Sequence, residues 1–265
     1  LPELPDVQVL KQYLDATSLH QRVEAVEVHS QQMLEGLDAR QLKARLQDRT
    51  FEGTRPHGKY LFVELDDGDW LVLHFGMTGD LKYYRDAEKE PEYDQILFHF
   101  ANGYHLAYIM PRKLGEVRLV SDPDELIDEK ELGPDVLGDD FDFETFHGIL
   151  EGRWGMIKSR LMDQKIMAGI GNVYSDEILF QAGVHPRTKV NDLDADALRS
   201  VFARMKEVLH VAIDHQAEPE QFPADYLIPH RHTDHECPKC GGSIERIEVA
   251  GRAGYYCPKC QEKDG

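Results

Sequence analysis

Cys237-Pro238-Lys239-Cys240 and Cys257-Pro258-Lys259-Cys260 set four thiols in two C-x-x-C pairs with sixteen residues between them. Thiolates at this spacing converge on one tetrahedral zinc, and four sulfurs close the site, which makes it structural rather than catalytic. The chain has no other cysteine. That clustering fits metal binding in a reducing, cytoplasmic compartment better than a disulfide framework. Between the pairs, Ile244 to Val249 alternates apolar with polar residues, and Gly251-Arg252 marks a hairpin tip. Its arginine is either a solvated charge or a fork for a phosphate. His230, His232 and His235 precede the first pair; with four cysteines completing the site, they read as loop residues.

A second chemistry sits at the chain start, Leu1-Pro2-Glu3-Leu4-Pro5-Asp6. Without Leu1, Pro2 presents a free secondary amine, and an α-amino group titrates at about 7.7–8.0, so part of it is nucleophilic at neutral pH. Glu3 is a carboxylate able to pass protons at the same centre. Alone, the prolines equally punctuate a helix start, with Asp6 in its first turn. A third candidate is Gly169-Ile170-Gly171-Asn172. Glycines at a helix N-terminus let backbone amides approach a phosphate, although the same residues serve a tight helix–helix turn. Lys158 lies fourteen residues earlier as a cation able to join them.

These residues need elements to hold them. Val7, Leu10 and Leu14 recur at helical spacing, so a short amphipathic helix opens the fold. Apolar, β-rich runs follow at Val23 to Val28, Lys59 to Leu65, Trp70 to Phe75, Ile96 to Phe100 and Tyr104 to Met110. Asp67-Gly68 and Asn102-Gly103 between them are strong hairpin signals. After Ser121 the chain becomes acidic through Asp142, reading as a linker with one short helix. Asn172 to Ala182 then reads as a helix closed by Gly183, and Leu198 to Ile213 as a longer amphipathic one. The predicted fold class is α+β in two domains. An antiparallel β-sandwich with a leading helix spans 1–120, an acidic linker 121–142, a helical domain 143–235 and a zinc-ribbon hairpin 236–265.

Composition bounds the partners. The 265 residues carry 41% hydrophobic and 30% charged residues, which describes a folded globular chain rather than a disordered one. No run approaches the roughly 20 apolar residues that span a bilayer. The net charge of −19 weighs against a nucleic-acid partner, but its distribution softens the objection. More than half of the excess lies in 121–150, whereas 151–190 is net positive. A locally basic face on an acidic protein still holds a phosphate backbone, with weak non-specific affinity.

Taken in order, the motifs match one family. They are Pro2-Glu3-Leu4-Pro5, Gly58-Lys59-Tyr60-Leu61, His74-Phe75-Gly76-Met77-Thr78-Gly79 and Pro111-Arg112-Lys113-Leu114-Gly115. Ile157-Lys158, Asp163-Gln164-Lys165, Gly169-Ile170-Gly171-Asn172-Val173-Tyr174, His185-Pro186 and Gly251-Arg252 follow. The sequence resembles the formamidopyrimidine-DNA glycosylase / endonuclease VIII family, and Pro-Glu-Leu-Pro is closer to the formamidopyrimidine branch. The resemblance implies a monomer acting on damaged double-stranded DNA, held between the β-sandwich and a helical domain with a helix–two-turns–helix motif. It implies base-excision repair: removal of an oxidised, everted base, then strand cleavage by β,δ-elimination through an iminium on Pro2. Glu3 would handle protons at ring opening, and Lys59, Lys158, Asn172 and Arg252 would hold phosphates. Met77, Arg112 and Leu114 would fill the gap left in the base stack. Singly, Met77 and Leu114 read as core residues and Lys59 as a hairpin charge; the ordered set reverses that reading.

Several positions depart from the family pattern. Leu1 precedes Pro2 where the family has a removable methionine; with Leu1 in place Pro2 is an amide, and the alternative is a catalytically silent protein that binds damaged or bent DNA. Asp6 replaces a glutamate, Leu114 a phenylalanine and Met110 an aspartate. Gln216 to His235, where the branch carries an oxidised-purine recognition loop, is here rich in proline, histidine and acids. An unrelated zinc-ribbon interaction module is the further rival, resting on the cysteines and the acidity.

Overall fold

The computed structural model of the chain describes residues 2–262. Leu1, on which the choice between an enzyme and a silent binder turns, lies outside the described residues. The chain divides into two compact units, with the break between Glu131 and Leu132.

The first unit opens with α1 (Leu4–Ser18), followed by β1 (Val23–Val28), α2 (Ala39–Leu46), β2 (Phe51–His57), β3 (Tyr60–Leu65) and β4 (Trp70–His74). It continues with β5 (Asp80–Tyr84), β6 (Asp94–Phe100), β7 (His105–Ile109), β8 (Glu116–Val120) and α3 (Pro123–Glu129). The strands form two four-stranded sheets, ordered β1-β6-β7-β5 and β2-β3-β4-β8, with every pairing antiparallel. Alternation assigns the faces. Leu61, Val63 and Leu65 of β3 join Leu71 and Leu73 of β4 in a core shared with Ile96, Phe98 and Phe100 of β6. Val7, Leu10 and Leu14 carry α1 into that core at the helical spacing seen in the sequence. Phe51 meets Phe98 and Phe100 edge-on, with ring centroids 5.8 and 5.6 Å apart.

The other face of the second sheet is covered by part of the acidic stretch. Asp122 accepts the Asp124 backbone N–H, Pro123 occupies the first turn, and the resulting α3 buries Leu126 on Phe62 and Val72. Its acids thus stand on the solvated side of a packed helix. Met110, where an aspartate was the family norm, is fully buried in the core.

The second unit contains α4 (Phe143–Leu150), α5 (Ile157–Leu161), α6 (Asn172–Ala182), α7 (Ala195–Asp214), β9 (Glu245–Val249) and β10 (Arg252–Tyr256). The last two strands pair as an antiparallel ribbon. α6 ends at Gly183, whose φ of +69° lets the chain leave through the left-handed region. α7 buries Leu198, Val201, Met205, Val208, Leu209 and Ala212 along one face. Among the described residues, no helix is long and apolar enough to cross a membrane.

Candidate nucleic-acid interface and metal centre

The chain start is fixed by the helix it begins. Glu3 is the N-cap of α1, in extended conformation, and its backbone N–H donates to the Asp6 carboxylate at 2.9 Å. That bond ties the residue after Pro2 to the first helical turn and leaves the Glu3 side chain buried. Burial, with the neighbouring Glu3 charge adding to it, pushes the Asp6 carboxyl up to about 6. A secondary amine at Pro2 would therefore stand at the N-terminal end of α1. Two carboxyl groups lie within four residues of it.

Lys59 follows Gly58 in the turn between β2 and β3, next to Tyr60. Tyr60 stands opposite His74 in the β3–β4 ladder, with the two rings 4.7 Å apart. Burial, reinforced by the nearby Lys59 and Lys130 charges, brings the His74 imidazole down to about 4, so it is neutral at pH 7. Its Nδ1 accepts the Gly76 N–H at 3.3 Å, which assigns the ring proton to Nε2. His74 is thus a neutral N–H donor beside a lysine. As a single residue in a motif it carried no sign of this, because the pairing depends on strand register.

Met77, Arg112 and Leu114 occupy two loops, after β4 and after β7. The loops are pressed together: a Cβ on Gly76 would come within 2.6 Å of the Leu114 carbonyl oxygen and 2.9 Å of the Gly115 nitrogen. Only glycine allows that approach, and its φ of +55° favours glycine a second time. Met77 is half-buried, Arg112 exposed, and Leu114 is 49% exposed. Lys113 between them holds a φ of +51°, an uncommon conformation for a residue with a side chain.

In the second unit, Gln164 fastens the glycine turn to α5. Its Nε2 donates to the Ile170 carbonyl at 2.7 Å and its Oε1 accepts the Gly169 N–H at 3.0 Å. Asn172 follows as the first residue of α6; its Nδ2 donates to Ala253 in β10 at 2.7 Å, while its buried Oδ1 has no hydrogen-bond partner among the described residues. Arg252 opens β10 after a two-residue turn in which Ala250 and Gly251 both have positive φ, 51° and 73°. This is the turn geometry that suits the twist of a hairpin. Its exposed side chain reaches toward Met162, with the guanidinium 3.8 Å from the sulfur. Arg252, Arg160, Ser159 and Gln164 are among the residues around a cavity of about 420 Å³.

Lys158 is placed differently from a surface phosphate clamp. Its side chain is fully buried, its ammonium paired with Asp176 and bonded to the Asn172 carbonyl at 3.3 Å. A lysine so far from water is held by its carboxylate partner, and it stands behind Asn172 rather than beside it. A cavity of about 600 Å³ in the first unit, lined by Glu35, Arg45 and Arg118 among others, contains none of the residues singled out from the sequence.

The four cysteine sulfurs lie within 4.8 Å of one another, with Cys237–Cys260 at 3.7 Å and Cys240–Cys257 at 3.5 Å. Sulfurs about 2.3 Å from a central zinc at tetrahedral angles would be about 3.8 Å apart, so the set fits one ion. Burial pushes the Cys257 and Cys260 thiols up, and the Gly242 amide draws Cys240 down to about 7. Ionising all four together is what a bound dication supplies. The residues fit one structural zinc. The three nearby histidines belong to no cysteine-centred group.

Residues 1–117 match the model of the formamidopyrimidine-DNA glycosylase N-terminal domain, 132–223 that of the formamidopyrimidine-DNA glycosylase H2TH domain, and 234–263 that of the zinc finger found in FPG and IleRS. The chain is 32% identical to the formamidopyrimidine-DNA glycosylase of Streptococcus pneumoniae R6, covering 100% of both chains. It is also 32% identical to that of Lactococcus lactis subsp. cremoris, over 99% of this chain and 100% of the other. A solved Lactococcus lactis Fpg in complex with DNA containing N7-benzyl-Fapy-dG superposes with a TM-score of 0.89 at 29% identity, over 99% and 100% of the two chains. A complex of the same protein with abasic-site DNA gives 0.88 at 29% identity, over 98% and 100%.

Proposed function

From the premise that the chain belongs to the formamidopyrimidine-DNA glycosylase family, we propose that it removes oxidised bases from double-stranded DNA and cleaves the strand at the resulting abasic site. The observation that carries the reading is the start of α1, where Pro2 precedes a buried Glu3 and an Asp6 carboxyl titrating near 6. The Pro2 nitrogen attacks the anomeric carbon and passes its N–H proton to the Glu3 carboxylate; the bond to the base breaks with its electron pair leaving on the base, which takes a proton from water. Glu3 returns that proton to the ring oxygen as the sugar opens, which leaves a cationic iminium on the proline nitrogen. A secondary amine suits this step because its iminium is cationic without a further proton. The iminium acidifies the neighbouring C–H, and successive losses of the two flanking phosphates complete β,δ-elimination. Water then releases the enzyme.

The other groups hold the DNA. Lys59 contributes a cation and His74 a neutral N–H donor toward phosphate. In the second unit Asn172 and Arg252 hold phosphates without reading sequence, and Lys158 acts from behind as the support of Asn172. Met77, Arg112 and Leu114 fill the stack when a base is everted. Cys237, Cys240, Cys257 and Cys260 would hold a zinc that ties the two ends of the ribbon, so that Arg252 keeps its place.

Borohydride trapping on an abasic-site duplex tests the chemistry, with zinc-loaded protein whose first residue is confirmed by mass to be Pro2. A covalent protein–DNA adduct is expected from that protein, and none from the form that retains Leu1. No adduct from folded protein beginning at Pro2 would sink the lyase reading and leave DNA binding without strand chemistry.

A further inference from the structure

Asp176 lies one helical turn after Asn172 on α6 and has no exposed surface. Its carboxylate accepts from Lys158 Nζ, from the Tyr255 backbone N–H at 3.1 Å and from Arg231 Nε at 2.9 Å, and a terminal nitrogen of the same guanidinium is ion-paired with it at 2.8 Å. Arg231 reaches further. The same terminal nitrogen lies 3.4 Å from both the Asn172 and Ala253 carbonyl oxygens, and the guanidinium sits 4.9 Å from the centre of the Tyr255 ring. One side chain therefore joins the first turn of α6 to the β10 backbone immediately after Arg252. The strand passes so close that a Cβ at Gly254 would fall 2.9 Å from both Asp176 Oδ1 and Lys158 Nζ.

The segment that delivers Arg231 is itself fastened to α6. Glu177 accepts the backbone N–H groups of Leu227 at 3.1 Å and Ile228 at 2.7 Å, and Gln181 donates to the Asp225 carbonyl at 3.2 Å. Phe222, Tyr226 and Leu227 are buried. This is the stretch between 216 and 235 that departs from the family pattern, and here it forms a strap ending in a guanidinium.

We propose that Arg231, acting through Asp176, is a positioning residue for the phosphate grip: it fixes Arg252 and Asn172 relative to one another. The proposal rests on the reading of Arg252 as a phosphate contact. Arg231 needs no contact with DNA. A planar fork is required, because the residue must engage Asp176 and two carbonyls at once, which an ammonium on a flexible stem does not do.

The test is a double-mutant cycle on the full, zinc-loaded chain. Affinity for a duplex containing a tetrahydrofuran abasic-site analogue is measured over a series of salt concentrations, so no step depends on Pro2. Arg252→Ala is expected to weaken binding about tenfold and to make the log–log salt slope shallower by about 1. Arg231→Ala is expected to weaken binding several-fold and to make the slope shallower as well. The double variant should bind within about twofold of Arg252→Ala, because both changes remove the same interaction. Multiplying effects, or an unchanged slope with only a lowered melting temperature, would reduce Arg231 to a purely structural role and overturn the proposal. Arg231→Lys keeps the charge without the fork and should track Arg231→Ala; it carries the cycle if the alanine variant loses zinc. Wild-type affinity and slope in Arg231→Lys would equally overturn the proposal. Wild-type affinity in Arg252→Ala would instead remove the underlying reading of Arg252, and that arm is read separately.

Discussion

Leu114 stands half in water on a loop whose preceding residue, Lys113, has a φ of +51°. Folding gains little from such a side chain, so Leu114→Ala should change stability by no more than about 0.5 kcal/mol. Burying the same leucine in a base stack is worth about 1.5–3 kcal/mol, so excision from lesion duplex should fall about tenfold or more. Thermal unfolding and single-turnover excision on the same preparation check the pair, and an unchanged excision rate would return Leu114 to the status of a surface residue. Residue by residue, the cysteines were legible because a zinc knuckle is a local pattern. His74 was not, because its neutrality follows from burial in the folded sheet and from the nearby Lys59 and Lys130 charges, and its tautomer from Gly76. The burial of Lys158 was not legible either, since it is decided by Asp176 on the next helix.

At the scale of elements, Glu177 makes the stability of the strap depend on pH. Burial raises its carboxyl from the usual 4.5 to about 7, against the opposing hydrogen bonds from Gln181, Leu227 and Ile228. The folded state thus holds this proton more tightly than the unfolded chain does. The contribution is fully present below about pH 4.5 and is lost as pH rises through about 7. Glu177→Gln should flatten that part of the profile, read from urea midpoints between pH 5 and 8; an identical slope in the variant would show that other groups set it. The long elements were readable from periodicity, and α6 runs over Asn172–Ala182 as its glycine boundaries indicated. β2, with Gly53 and Pro56, and α2, with only Leu42 and Leu46 buried, offered too few apolar residues to announce themselves. β5 and β8 are five residues each, and their apolar positions become meaningful only beside β7 and β4.

For the molecule as a whole, an acidic chain must bind a polyanion with few cations. If Lys59 and Arg252 supply the charged phosphate contacts, log affinity for lesion duplex should fall against log salt with a slope of about −2. A slope much steeper would mean that basic groups outside this set meet the backbone, and one near zero would remove the electrostatic contacts altogether. Charge summed over the sequence understated this arrangement, because the acids concentrate on packed elements such as α3. Within the second unit, two consecutive acids on one turn of α6 face different clients: Asp176 the hairpin, Glu177 the strap. Strap and ribbon, residues 216–262, therefore share one anchor. A disturbance of this one turn is felt by ribbon and strap together, so the C-terminal segment responds as one cooperative piece of the protein rather than as a separately folded appendage.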